Sequence, residues 1–175
     1  EWDGAVWPFA TSQTLRGLAN LLSDEQQEFV SRSDYFEQLL TYARSHRQDG
    51  KAYIGEYHDE VTGQWLIAGP KAQRNRYYNY STFCDLVING LVGLVPRGDN
   101  VVEVDPLIPP DAWDWFCLDG VPYRGHNLTI MWDRMGQRYG KGAGLSIWID
   151  GKEVARATEI GKLTARLPPK ISEGN

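Results

Sequence analysis

STFCDLVINGLVGLVP, residues 81 to 96, sets Phe83, Leu86, Val87, Leu91 and Leu94 around most of the circumference of a helix. Helical spacing over this stretch predicts a third helix that Pro96 ends, and apolarity on nearly every side asks for cover on both flanks. Two helical patterns precede it. TSQTLRGLANLLSD places Leu15, Leu18, Ala19 and Leu22 on one face behind Thr11 or Ser12 as N-cap. SDYFEQLLTYARSHRQDG repeats the pattern with Phe36, Leu39, Leu40 and Ala43, capped by Ser33 or Asp34 and stopped by Gly50. Three helices make a poor closed core when the third is apolar nearly all round. The helical part therefore reads as one arc of a larger helical assembly. The rest of that assembly is expected upstream, from a partner chain, or from self-association.

Beyond residue 96 the period changes. VVEV (101–104), DWFCL (114–118), NLTIMWD (127–133) and GLSIWID (144–150) are short and rich in β-formers. Leu145, Ile147 and Ile149 alternate with Ser146, Trp148 and Asp150, as in a half-buried strand. Asp150-Gly151 followed by KEVARA signals a hairpin. The expected fold is mainly α with a β appendage, in three parts. Residues 1–95 form a helical arc, 96–167 a small antiparallel β unit, and 168–175 a Pro/Gly/Ser-rich flexible tail.

The formal charge of −5 argues against a nucleic-acid partner, since such binders carry basic faces. No apolar run approaches membrane-spanning length, so no membrane partner is expected. The opening EWDGAVWP is neither a signal peptide nor a start methionine, which suggests a chain cut from something longer and leaves the compartment unread. Cys84 and Cys117 lack CxxC spacing; buried free thiols are the simpler expectation, with a disulfide the alternative. His46, His58 and His126 show no metal-ligand spacing, and no Walker loop or GxSxG occurs, so neither a metal nor a cofactor is expected. Seven Trp and nine Tyr lean toward a carbohydrate ligand, because sugar C–H faces pack on aromatic planes.

Three loops carry the candidate chemistry. WDGAVWPF (2–9) sets Trp2 and Trp7 around Gly4, as an aromatic wall or as a staple for helix entry. GEYHDEVTGQWL (55–66) holds Glu56 beside Tyr57. Tyr57 and Trp65 either shield that carboxyl from water, raising its pKa, or lend it hydrogen bonds, lowering it. Asp59 and Glu60 precede a Thr-Gly turn and read as solvated. KAQRNRYYNYST (71–82) brings Asn79, Tyr80 and Ser81 to the mouth of the third helix, to meet a ligand or to cap the helix.

The order of these motifs is W-x-G-x-V-W before a helix, then E-x-x-x-x-x-T-G, then an aromatic loop and an apolar helix. It resembles the C-terminal part of the six-hairpin, (α/α)6-barrel glycoside hydrolases. The resemblance is to family 63 and mannosylglycerate hydrolase-like enzymes, with trehalases more distant. PLIPPDAWDWFCLDGVPYRGHNLTI (106–130) is similar to the β extension that ends many such chains. The resemblance implies a partial (α/α)6 toroid of three to four helices followed by a small antiparallel β unit. It implies Glu56 as general base of an inverting hydrolysis, and Trp2, Gly4, Trp7, Tyr57, Tyr80 and Ser81 as residues lining the sugar subsite. Asp3-Gly4-Ala5 stands where the family commonly has Arg then Gly-Pro, and His58 where it often has Tyr.

Inversion needs a protonated acid on the leaving oxygen and a base across the ring, with carboxyls roughly 6.5–9.5 Å apart. No residue here matches the family's acid, so the resemblance implies half of an active site. The expected reading is a fragment of a hydrolase of α-linked glucosides or related sugars that is inactive by itself. Its partners are an oligosaccharide or small glycoside and the missing N-terminal part of the barrel or a second copy. The alternative is a non-catalytic carbohydrate-binding or structural helical module that self-associates.

Overall fold

The computed structural model describes residues 4–66 and 81–169. It divides into two compact units, Glu1–Val87 and Ile88–Asn175. Among the described residues there are three helices, of 17, 14 and 5 residues. Nine strands form antiparallel sheets of two, three and four strands. The chain is β-rich, not mainly α, and the reading as a partial toroid with a β appendage is overturned.

In the first unit, α1 (Pro8–Asp24) starts before the expected Thr11 or Ser12. Trp7 is the N-cap in extended conformation, and Pro8 takes the first helical position, where a missing N–H costs nothing. Ser12 lies buried inside the helix, donating to the Phe9 carbonyl at 2.8 Å and accepting from the Thr82 hydroxyl at 3.0 Å. The second helix, α2 (Arg32–Ser45), is capped by Ser31, not Ser33 or Asp34. Ser31 and Asp34 form a reciprocal capping box, with bonds of 3.2 and 2.7 Å.

Tyr35 and Tyr42 join Leu39 in the core, while Phe36, Leu40 and Ala43 are only half-buried. Each phenol finds a backbone acceptor: Tyr35 donates to the Leu86 carbonyl at 2.8 Å and Tyr42 to that of Pro8 at 3.3 Å. Burial pushes both phenols up to about 12. Gly50 does not stop α2. Asp49-Gly50, with φ of 51° and 73°, is the turn of a short hairpin between β1 (Arg47–Gln48) and β2 (Lys51–Ala52).

The stretch 81–96 is not one helix. It runs through α3 (Ser81–Asp85), a π turn (Leu86–Leu91) and β3 (Leu94–Val95). The Asn89 side-chain amide donates to the Leu94 carbonyl at 2.7 Å. Gly93 then turns the chain at φ 80°, where a Cβ would lie 2.1 Å from the Asp105 carbonyl oxygen. Leu91, Val92 and Leu94 are buried as the start of the second unit. A short apolar run does not distinguish buried helix from buried strand by period.

The second unit contains two sheets. One orders β3, β4 (Val101–Val104) and β9 (Leu163–Arg166); the other orders β5 (Trp115–Tyr123), β6 (His126–Asp133), β7 (Gly144–Ile149) and β8 (Lys152–Ala157). Rungs Phe116–Trp132–Leu145 and Leu128–Ile149 put apolar side chains on one face, all buried. Val102, Val104, Leu107 and Ile108 are buried with them. The opposite face carries Trp115, Cys117, Met131, Ser146 and Trp148. Asp150-Gly151 turns the β7–β8 hairpin with φ of 51° and 76°, and Arg124-Gly125 does the same for β5–β6. Cys84 and Cys117 are free and exposed, not buried: each sits on the solvent side of its element, so neither thiol is part of a core.

Candidate functional site

The loops at residues 4–7 and 53–66 are zipped together. Val6 and His58 exchange both backbone hydrogen bonds, at 2.8 and 3.0 Å. His58 also bridges Trp65 across an antiparallel turn, closed by Asp59 N–H on Gln64 O at 2.9 Å and Leu66 N–H on Tyr57 O at 3.2 Å. Extended chain alternates sides. Tyr57 meets Trp7 on one side, ring centroids 4.9 Å apart and tilted by 32°. Gly4 has φ 96°, and a Cβ there would stand 2.9 Å from Oε1 of Glu60, so this glycine gives the Glu60 carboxylate its place.

Trp65 is the pivot of the segment. Its indole N–H donates to the Ser45 carbonyl at 3.0 Å, and its ring meets Tyr53 at 5.7 Å and His58 at 5.2 Å. Gly55 lies flat on that indole, where a Cβ would come within 2.6 Å. Glu56 therefore follows a residue pinned to Trp65 and precedes one stacked on Trp7. It is half-buried, and among the described residues it makes no hydrogen bond or ion pair. Among the described residues, then, the Glu56 carboxylate is not spent on structure, and that leaves it to a ligand or a water.

Its acidic neighbours are placed differently. Asp59 accepts from the amides of Val61 at 3.0 Å and Thr62 at 2.7 Å and from the Thr62 hydroxyl at 3.0 Å. These bonds, those of Thr62 foremost, hold its carboxyl below the usual range. Asp59 is committed to the turn, and Glu60 is exposed.

Of the residues expected at the site, Gly4, Trp7, Glu56 and Tyr57 come together here. Ser81 is the first residue of α3, in the same unit. Trp2 and Tyr80 lie outside the described residues. The sequence points to Trp65 as a ring beside Glu56, but not to Gly55 as the residue packed against it. The signal was a glycine directly before the singled-out acid, in a segment rich in rings. Among the described residues, no three His, Cys, Asp or Glu side chains group so as to hold a metal ion, and no helix is long and apolar enough to cross a membrane.

Residues 1–81, which include this segment, match the family model described as "Mannosylglycerate hydrolase MGH1-like glycoside hydrolase domain". Residues 97–156 match a second, "Glycosyl hydrolase family 65, C-terminal domain". Both matches are to parts of glycoside hydrolases, so this chain is similar to them in sequence over these two stretches. A solved structure named "Sialidase" is 54% identical over 94% of this chain, with a TM-score of 0.89. The chain spans 15% of the length of that neighbour.

Proposed function

We propose that the chain supplies the general base, Glu56, of an inverting glycoside hydrolase acting on α-linked glucosides or related sugars. The observation that carries this reading is the half-buried Glu56 carboxylate, fixed between Gly55 and Tyr57 yet bonded to nothing among the described residues. Its neighbours suit a sugar: the Trp7–Tyr57 pair offers aromatic planes, and Gly4 sets the Glu60 carboxylate against its own backbone, a second acceptor for hydroxyls. The match to glycoside hydrolase domains at residues 1–81 supports the reaction class.

In this reaction Glu56 takes a proton from water as the water oxygen bonds to the anomeric carbon. The glycosidic C–O bond breaks on the opposite face, and its oxygen leaves with a proton from an acid. That acid is assigned to sequence beyond these residues, within a longer protein. Glu56→Gln in that protein keeps the shape and removes the basic oxygen. Turnover of an α-glucoside should fall on the order of 10²–10⁴-fold, the usual worth of a general base, with thermal stability unchanged. NMR of the first-formed product should show the inverted anomer. Full turnover by the Gln variant removes Glu56 from the mechanism, and a retained anomer removes inversion.

The neighbour named "Sialidase" favours a second reading, in which the longer protein cleaves sialosides. Side-by-side assay of an α-glucoside and a sialyl-lactose decides between them.

A further inference from the structure

We propose that the second unit carries a separate oligosaccharide-binding shelf at the start of β5, formed by Trp113 and Trp115 with Asp111 and Asp114 at its rim. This goes beyond the chemistry assigned to Glu56 and does not depend on it.

Residues 112–117 line a cleft of about 570 Å³, within the range of small-molecule sites, about 300–1,000 Å³. The two indoles in it are 39% and 46% exposed. β5 is an edge strand of its sheet, and natural edges are usually blunted with charge because exposed apolar edges aggregate. A solvent-facing indole on that edge, with a second just before the strand begins, carries a cost that a ligand site explains.

The shelf is also pre-set. The Arg138 guanidinium lies 4.1 Å from the centroid of the Trp115 ring, and Tyr139 meets the same ring edge-on at 6.3 Å and 88°. The Trp132 indole N–H donates to the Trp113 carbonyl at 3.1 Å. Arg134 donates to the Pro110 carbonyl at 2.6 Å and pairs with Asp111 and Asp114, each at 3.2 Å. Rings held in one orientation lose little entropy on binding.

The chemistry of the rim selects the ligand. Asp111 and Asp114 keep side-chain exposures of 94% and 79%, leaving carboxylate oxygens to accept from hydroxyls. A pyranose ring offers both halves of the match, a C–H face for the indoles and a fringe of hydroxyl donors for the carboxylates. A purely apolar peptide would leave the carboxylates unused. The ligand class is a neutral oligosaccharide of pyranose units.

The test is a titration of the 175-residue chain with maltotriose and with cellotriose, reading tryptophan indole N–H signals by NMR. The Trp113 and Trp115 signals should move saturably with at least one of the two sugars. Trp115→Ala should weaken that binding about tenfold, the worth of one stacked ring, and Trp115→Phe should restore most of it. Still signals with both sugars, or undiminished binding in Trp115→Ala, overturns the shelf. So does concentration-dependent self-association that Trp115→Ala relieves without any sugar response, which would make the surface a contact between copies. Turnover by Glu56→Gln and binding at Trp115 are separate readings, so either assignment can fail alone.

Discussion

The two units of this chain hold their shapes by different means. In the second, backbone ladders dominate. Seven strands pair in antiparallel ladders, broken only by register shifts at Leu118/Val121 and Ile147/Trp148, and the rungs of β5, β6 and β7 bury Ile130, Leu145 and Ile147 completely. In the first, side chains reach for lone carbonyls. Tyr35 bonds Leu86, Tyr42 bonds Pro8 and Trp65 bonds Ser45, while the segment bearing Glu56 is joined to its neighbours by isolated bridges. A ladder averages its strength over many similar bonds. A set of single plugs leaves the intervening chain irregular, and irregular chain is where a carboxylate is held without a structural partner. The contrast suggests that one unit tolerates irregularity to build a site and the other spends its sequence on regularity.

The sharpest way to break the contrast is at Gly93. Its φ of 80° and the carbonyl 2.1 Å from any Cβ leave alanine no accommodation. Gly93→Ala should destabilise the second unit by more than about 4 kcal/mol, read as loss of its cooperative transition in denaturant. A folded, near-native variant would mean that the corner between β3 and its neighbours is soft.

A milder test belongs to the first unit. Tyr35→Phe keeps the ring and removes the bond to Leu86. It should cost about 1–2 kcal/mol in chemical denaturation, with slow-exchanging amides lost around α2 and the π turn and none in β6 or β7. An unchanged midpoint would show that the plug contributes nothing beyond its ring.

The smallest effect is a pH dependence. Burial pushes the His46 imidazole below its ordinary value of 6.5, so the folded chain prefers it neutral. The unfolded chain then binds more protons at and below pH 6.5, and stability falls as pH drops through that value toward the folded pKa. The thermal midpoint should decline on going from pH 7.5 to pH 5.5, and His46→Gln should flatten that decline. An equal slope in the variant assigns the pH dependence elsewhere.

How much of this was legible in the sequence differs along the same line. The strands around residues 101–104, 127–133 and 144–149 could be read because alternation and an Asp-Gly turn carry their own geometry. The first two helices could be read to within a few residues, but their caps lay earlier than the sequence suggested. Pro8 and Ser31 are local signals that were outweighed by the apolar period. Gly50 reads as a helix stop because glycine after a helix and glycine in a tight hairpin turn look alike in sequence. The run at 81–96 misled most. Its apolarity reports burial, and burial alone does not say which secondary structure is buried. With two helices before it and the resemblance to a helical barrel, that run made the chain read as mainly helical. The site was legible as residue types, Glu56 among rings and glycines. That Val6 would lock onto His58, bringing Trp7 to Tyr57, is a matter of register between distant segments, which no local pattern encodes.

Asp150 has a consequence for anyone who would engineer the chain. Its carboxylate accepts the Asn127 amide at 2.9 Å and pairs with His126 at 2.7 Å while its own backbone makes the tip of the β7–β8 hairpin. One residue thus buttons two hairpins together. A tag or reporter spliced into that tip, the obvious choice on exposure alone, would undo both fastenings. Gly161, where an added side chain would touch nothing, is the better seam.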